Sequence, residues 1–168
     1  MNRGHIYYAL ADHHGLLKLT GELRYPLGPS LNQAVNTLFA ASELQGVVVD
    51  LQETDFIDST CLGLLARVAT QPSPTARDRA VIVSTHADIN QLLKTMGFDQ
   101  VFDLVLSPPP RAVAADLTPA AEPAGATARV DQQVMLEAHR VLSEINEKNR
   151  QMFQDVIEQL ETETGNSH

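Results

Sequence analysis

The sequence predicts an α/β domain, a mixed sheet with helices mainly on one face, extended by a linker and a long C-terminal helix. Three observations predict it. Two apolar segments, 6–11 and 16–23, flank Asp12-His13-His14-Gly15 as the arms of a hairpin flank its turn. Two continuous apolar runs, 46–51 and 80–84, have the composition of strands buried on both faces, and helical patterns alternate with them. Composition then changes sharply once, over 107–128, where alanine and proline dominate.

Taken in order, the hairpin is followed by Pro29-Ser30, which opens a helical pattern with Leu31, Val35, Leu38 and Phe39 on its apolar face. Gly46-Val47-Val48-Val49-Asp50-Leu51 is the first buried strand. It is expected to end there, an acidic loop to follow over 53–58, and a helix to begin at Asp58-Ser59-Thr60 with 62–68 as its apolar body. Residues 80–84 form the second buried strand, and 88–96 a helix capped by Ser84 or Thr85 and closed by Gly97. Residues 101–106 are a last short strand. This places the globular domain at 1–106.

Residues 107–128 include Pro108-Pro109-Pro110, with Val113 and Leu117 as their only large apolar side chains. Such a stretch buries too little surface to offset its ordering entropy and reads as a linker. From 129 to 163 neither proline nor glycine interrupts the chain, and a helix is expected. Met135, Ala138, Leu142, Ile145, Met152 and Val156 share one stripe with Asn149 among them. The stripe would serve packing on the chain's own body, a homodimeric coiled coil registered by Asn149, or the docking of a partner. Packing on the body is the expectation carried forward.

Bulk properties exclude several function classes. A formal charge of −9 argues against nucleic acid or an anionic membrane as partner, because both need a basic face. The one cysteine, Cys61, forms no intramolecular disulfide framework and fits a reducing cytoplasm. The N-terminus lacks the apolar core of a signal peptide, and no apolar run approaches bilayer length. A cytoplasmic protein is expected. His5, His13 and His14 have no supporting carboxylate spacing for a metal, and a Walker pattern is absent. Ser59 as a nucleophile would need a base and an oxyanion site, and no Gly-x-Ser-x-Gly elbow surrounds it. Neither an enzyme nor a cofactor is expected.

The informative stretch is the start of the second helix. Asp58 suits the N-cap, which leaves Ser59 in the first turn. The first N–H groups of a helix lack internal partners, and the helix dipole places partial positive charge there. A phosphoryl group on Ser59 or Thr60 would therefore be tolerated by the fold while changing its surface. By itself, Asp-Ser-Thr ahead of an apolar helix is an ordinary cap.

Asp58-Ser59-Thr60-Cys61-Leu62-Gly63, one loop after Val47-Val48-Val49-Asp50-Leu51, resembles the phosphorylation-site motif of STAS-domain anti-sigma factor antagonists. Gly21-Glu22-Leu23 and Met96-Gly97-Phe98 resemble two further elements of that family, in its order. The resemblance implies partner switching. The unmodified antagonist binds an anti-sigma factor, a serine kinase ends that binding by phosphorylation, and a phosphatase restores it. By position Ser59 matches the acceptor, Thr60 is the second choice, and Asp58 is the flanking acid. The implied partner surface comprises Asp58, Ser59, Thr60, Cys61, Leu62, Gly63 and Arg24. Cys61 stands where the family usually has glycine, and Arg24 where many members have an acid. A thiol at a helix N-terminus also raises a redox role for Cys61, set against that of a small semi-buried helix residue.

Leu136-Glu137-Ala138-His139-Arg140, Asn146 to Arg150 and Leu160-Glu161-Thr162-Glu163 resemble a subgroup of proteobacterial antagonists. Its members work with a response-regulator-like anti-sigma factor of the general stress pathway, which would unite the partner activities in one protein. The alternative within the same fold is a non-enzymatic STAS scaffold subunit of a transport system. That role requires no phosphorylatable Asp-Ser-Thr.

Overall fold

The computed structural model describes residues 3–110, 116–120 and 128–165, the side chains of 128–131 excepted. Strands β1 (His5–Ala11) and β2 (His14–Leu23) form the expected hairpin, paired from His5↔Thr20 to Ala11↔His14. Asp12 and His13 both have positive φ, 51° and 65°. That is the two-residue turn whose twist matches its strands. A 3-10 turn at Tyr25–Leu27 leads into α1 (Gly28–Ala40), which has proline in its first turn. Strand β3 (Gly46–Ile57), helix α2 (Ser59–Thr70), strand β4 (Val81–Val83), helix α3 (Ala87–Thr95) and strand β5 (Asp103–Val105) follow.

The sheet order is β5-β4-β3-β2-β1-β6, where β6 is Thr118–Pro119. Strands β2 to β5 pair in parallel, and β1 pairs antiparallel with both β2 and β6. The sheet is thus mixed, as the hairpin followed by buried strands predicts. Leu17, Leu19, Val49, Leu51 and Ile82 from the sheet are buried in one apolar cluster with Leu31, Val35, Leu38, Leu62 and Leu65 from α1 and α2. Among the described residues, the opposite face carries a small buried group, Val48, Val81 and Val83, flanked by Leu16 and Val105.

Two local expectations are corrected. The acidic segment after Leu51 is not a loop: β3 runs on to Ile57. Between Lys18↔Asp50 and Thr20↔Glu53, and again between Gly21↔Thr54 and Glu22↔Phe56, β3 carries one residue more than β2. Two bulges break the period-two alternation by which a strand is recognised. Thr54 is buried and its hydroxyl donates to the Leu19 carbonyl at 2.7 Å. The other correction concerns α3, whose N-cap is His86, not Ser84 or Thr85. The Ser84 N–H donates to the Val105 carbonyl, which holds it on the strand side of the junction.

The tail is helical and folded at one point into α4 (Ala128–Ile145) and α5 (Glu147–Gly165). Asn146 divides them. Its side-chain oxygen accepts the Asn149 N–H at 2.8 Å, an N-cap bond made three residues ahead. Helix α4 packs on α2 and α1, and α5 packs on α4. Val134, Ala138, Leu142 and Phe153 join the main core cluster. The break re-aims the second half of the expected stripe. Asn149, Phe153 and Leu160 are buried, while Met152 and Val156 are exposed.

Thr118–Pro119 pairs with Tyr8 and Tyr7, so the segment read as a linker is pinned to the sheet edge there. The rest of that segment, 111–115 and 121–127, lies outside the described residues. Among the described residues, no helix is long and apolar enough to cross a membrane.

Candidate functional site

The start of α2 is fixed from two sides. The Asp58 N–H donates to the Leu23 carbonyl at 3.0 Å, tying the helix entry to the end of β2. Asp58 itself is extended, with φ −85° and ψ 174°, and its carboxylate accepts the Cys61 N–H at 2.9 Å. This is the N-cap expected from Asp58-Ser59-Thr60, and Ser59 is the first helical residue.

Ser59 is half-buried, and its partner comes from the tail. Its Oγ lies 2.9 Å from Nε2 of His139 on α4. Nδ1 of His139 lies 2.6 Å from the Met135 carbonyl, one turn earlier. A carbonyl only accepts, so Nδ1 carries the proton, and in the neutral ring Nε2 accepts from the Ser59 hydroxyl. Phe153 of α5 packs edge-on against the same ring, centroids 5.5 Å apart.

One turn along α2, Gly63 meets α4 directly. A Cβ at position 63 would fall onto the carbonyl and Cα of Ala138. Only glycine admits the α4 main chain at that depth. Val134 lies against Gly28 at the start of α1, beside Thr60. The face of α2 that carries Ser59 and Gly63 is therefore covered by α4.

The remaining predicted residues divide. Thr60 is buried, 3% exposed. Cys61 and Leu62 are turned into the core and have almost no exposed surface. At helical spacing they fall on the sheet-facing side of α2. The Cys61 thiol donates to the Arg24 carbonyl at 3.5 Å. Burial first, then the charge of Asp58 and its hydrogen bond, push that thiol's pKa far above its ordinary value. This is opposite to what a redox-reactive cysteine needs.

Arg24 is exposed at the same end of the sheet. Its guanidinium lies 3.3 Å from Glu22 and 4.3 Å above the ring of Phe56. Phe56 and Tyr25 are themselves exposed there. The structure thus gathers Arg24, Asp58 and Ser59 at one end of the fold, with the aromatic pair alongside.

His139 is the residue that sequence reasoning did not place. It stands within Leu136-Glu137-Ala138-His139-Arg140, three residues before Leu142 and four after Met135. A polar side chain on an apolar stripe was the available signal, but its partner lies 80 residues away. A serine–histidine pair is also half of a nucleophilic site. Here a main-chain carbonyl orients the ring, and the base arrives on a helix packed against the serine's own helix. The pair reads as a contact across a seam.

A family model described as "Mlab, STAS domain" matches residues 6–107. The crystal structure of an anti-sigma factor antagonist from Mycobacterium paratuberculosis aligns with a TM-score of 0.55 and 21% sequence identity, covering 62% of this chain and 87% of that one. At that identity the likeness shows the fold. No curated protein matches the chain.

Proposed function

The chain belongs to the STAS-domain family, and from that premise we propose that it is an anti-sigma factor antagonist switched by phosphorylation of Ser59. One observation carries the reading. The Ser59 hydroxyl opens α2 behind an aspartate cap, at the position where the STAS antagonist motif has its acceptor. The fold likeness to an anti-sigma factor antagonist supports the same role. Thr60, the alternative acceptor, is buried, which favours Ser59.

In the switch, the γ-phosphoryl of ATP passes to Ser59 Oγ. The O–P bond forms, the bond to the β-phosphate oxygen breaks, ADP leaves, and the hydroxyl proton goes to the kinase's base. ATP and the transfer machinery belong to the partner, an anti-sigma factor with serine kinase activity. A phosphatase reverses the step by hydrolysis. This chain supplies the acceptor and its surface.

A phosphoserine adds about −1.5 to −2 charge at pH 7 beside Asp58, the cap of the same helix. Burying such a charge unpaired in an interface costs about 3–5 kcal/mol, a hundredfold or more in affinity. The test begins with phosphosite mapping of the protein from its native cell and capture of its partner. Calorimetric titration of that partner should then give affinities about a hundredfold apart for the unmodified and phosphoserine-59 chains. Equal affinities, or phosphate found only at other residues, would overturn the proposal. Capture of a membrane transporter in place of an anti-sigma factor would favour the scaffold role.

A further inference from the structure

Resting on Ser59 as the switch residue, we infer that α4 occupies the docking face of α2 in cis, so that a seated tail excludes both a phosphorylated and a partner-bound Ser59. The chain as folded is the masked form.

The Ser59–His139 contact is too short for a phosphate. With Oγ and Nε2 2.9 Å apart, a phosphoryl group replaces the proton that makes the bond and interposes phosphorus and its oxygens. Nε2 and a phosphate oxygen are both acceptors, so they would bond only if the ring took up a second proton, and a bond of about 2.8 Å would still require the ring to withdraw by about 2 Å.

Helix α4 has no room to yield locally. One turn away its main chain already rests on Gly63, with Ala138 fully buried. Val134 and Leu142 are buried on either side of Ala138. Packed interiors respond to such a demand by switching arrangement, not by small continuous shifts. The unit that switches is already defined. Helices α4 and α5 pack together, with Arg140 and Glu161 3.1 Å apart across them. The pairing of Thr118–Pro119 with β1 keeps the tail's upstream chain on the body after release.

The same geometry describes the partner. Gly63 offers depth for main chain alone, so a segment that replaces α4 presents a small residue there, as α4 presents Ala138. An anti-sigma factor would dock by displacing α4 with a helix of its own carrying alanine, serine or glycine opposite Gly63.

The test uses the full chain with phosphoserine inserted at position 59 and reads amide hydrogen exchange by mass spectrometry. Peptides from 132–145 should exchange at least about tenfold faster than in the unmodified chain, while β2 and β3 keep their protection. Ala138→Leu, which leaves α2 untouched, should release the same peptides without phosphate. Unchanged protection of 132–145 in the phosphoserine chain overturns the inference, whether or not His139 then holds the phosphate. Loss of β3 protection together with that of α4 overturns it too, because the tail would not be a separate unit. The partner titration keeps the two proposals apart. Release of α4 with equal partner affinities would sink the switch and leave the mask. Unequal affinities with α4 still seated would do the reverse.

Discussion

The body of the domain and the seam between body and tail are built from different chemistry. Behind the sheet, Leu17, Leu19, Val49, Leu51, Leu62, Leu65 and Ile82 make a continuous aliphatic layer with almost no exposed surface. At the seam Val134 and Leu142 join that layer, but close main-chain contact and polar pairs are added to it. Gly63 faces Ala138, and hydrogen bonds hold the two ends. Ser59–His139 is one of them. At the other, the Asn149 side-chain amide donates to the Met96 carbonyl at 2.9 Å and Asn146 reaches Gln100 at 3.2 Å, while a second Asn149 bond, to the Leu142 carbonyl at 3.0 Å, stays within the tail. An apolar layer forms as one cooperative unit and opens with it. A seam fixed by close main-chain contact and polar pins is positionally specific, and under the proposed mask it opens while the layer stays shut.

The most direct way to break that distinction is to damage each region and see what unfolds. Leu65→Ala removes a fully buried side chain from the layer and should cost about 2–5 kcal/mol. Denaturant unfolding should stay a single transition with a lower midpoint. Exchange protection should fall in β3 and α4 together, since the seam has nothing to rest on once the layer opens. A Leu65→Ala chain that loses only its tail protection would mean that the layer and the seam had been wrongly divided.

Asn149 gives a smaller effect of opposite sign to the one a coiled coil predicts. At a coiled-coil core position, leucine in its place would raise stability. Here two carbonyls depend on its amide, one at the end of α3 and one in the last turn of α4. Asn149→Leu leaves both without that donor and should cost about 1–3 kcal/mol, read as a lower melting temperature. A stability gain on that substitution would return the tail to the coiled-coil model.

What could be read beforehand follows the same division. The aliphatic layer was legible, because Val47-Val48-Val49 and Val81-Ile82-Val83 declare buried strands by composition alone. The second half of β3 was not, because the first bulge puts Thr54 out of period with Val47 and Val49 and only the second brings Ile57 back into it. The Asp58 cap and the position of Ser59 were legible from a local rule. The turn at Asn146 was hidden because it uses neither glycine nor proline, only an asparagine side chain capping three residues ahead. The family glycine in Met96-Gly97-Phe98 has a role that only the assembled fold exposes. Gly97 closes α3 with φ 78°, and a Cβ there would strike Asn146 and Ile145 of the tail. Pairings such as Ser59–His139 join residues that no periodicity relates.

The smallest expected effect tests the seam at its most specific point. Ser59→Ala and His139→Ala each remove one member of a partly buried hydrogen bond, and such a bond contributes a net of about 0.5–1.5 kcal/mol. His139→Ala should cost more than Ser59→Ala, because it also removes the ring that packs on Phe153 and the bond to the Met135 carbonyl. Single losses therefore do not measure the contact, and a double-mutant cycle does. If the bond operates in solution, the double variant should be more stable than the two single losses added together predict, with a coupling of about 0.5 kcal/mol or more. His139→Gln refines the cycle. Its amide could still meet the Ser59 hydroxyl but offers no ring to Phe153, so it should recover part of the coupling and little of the packing. Strict additivity of Ser59→Ala and His139→Ala would show that α4 is held by Gly63, Ala138 and the Asn149 end alone. Ser59 would then be covered by the tail without being bound to it, and a phosphate placed there would have only steric means of displacing α4.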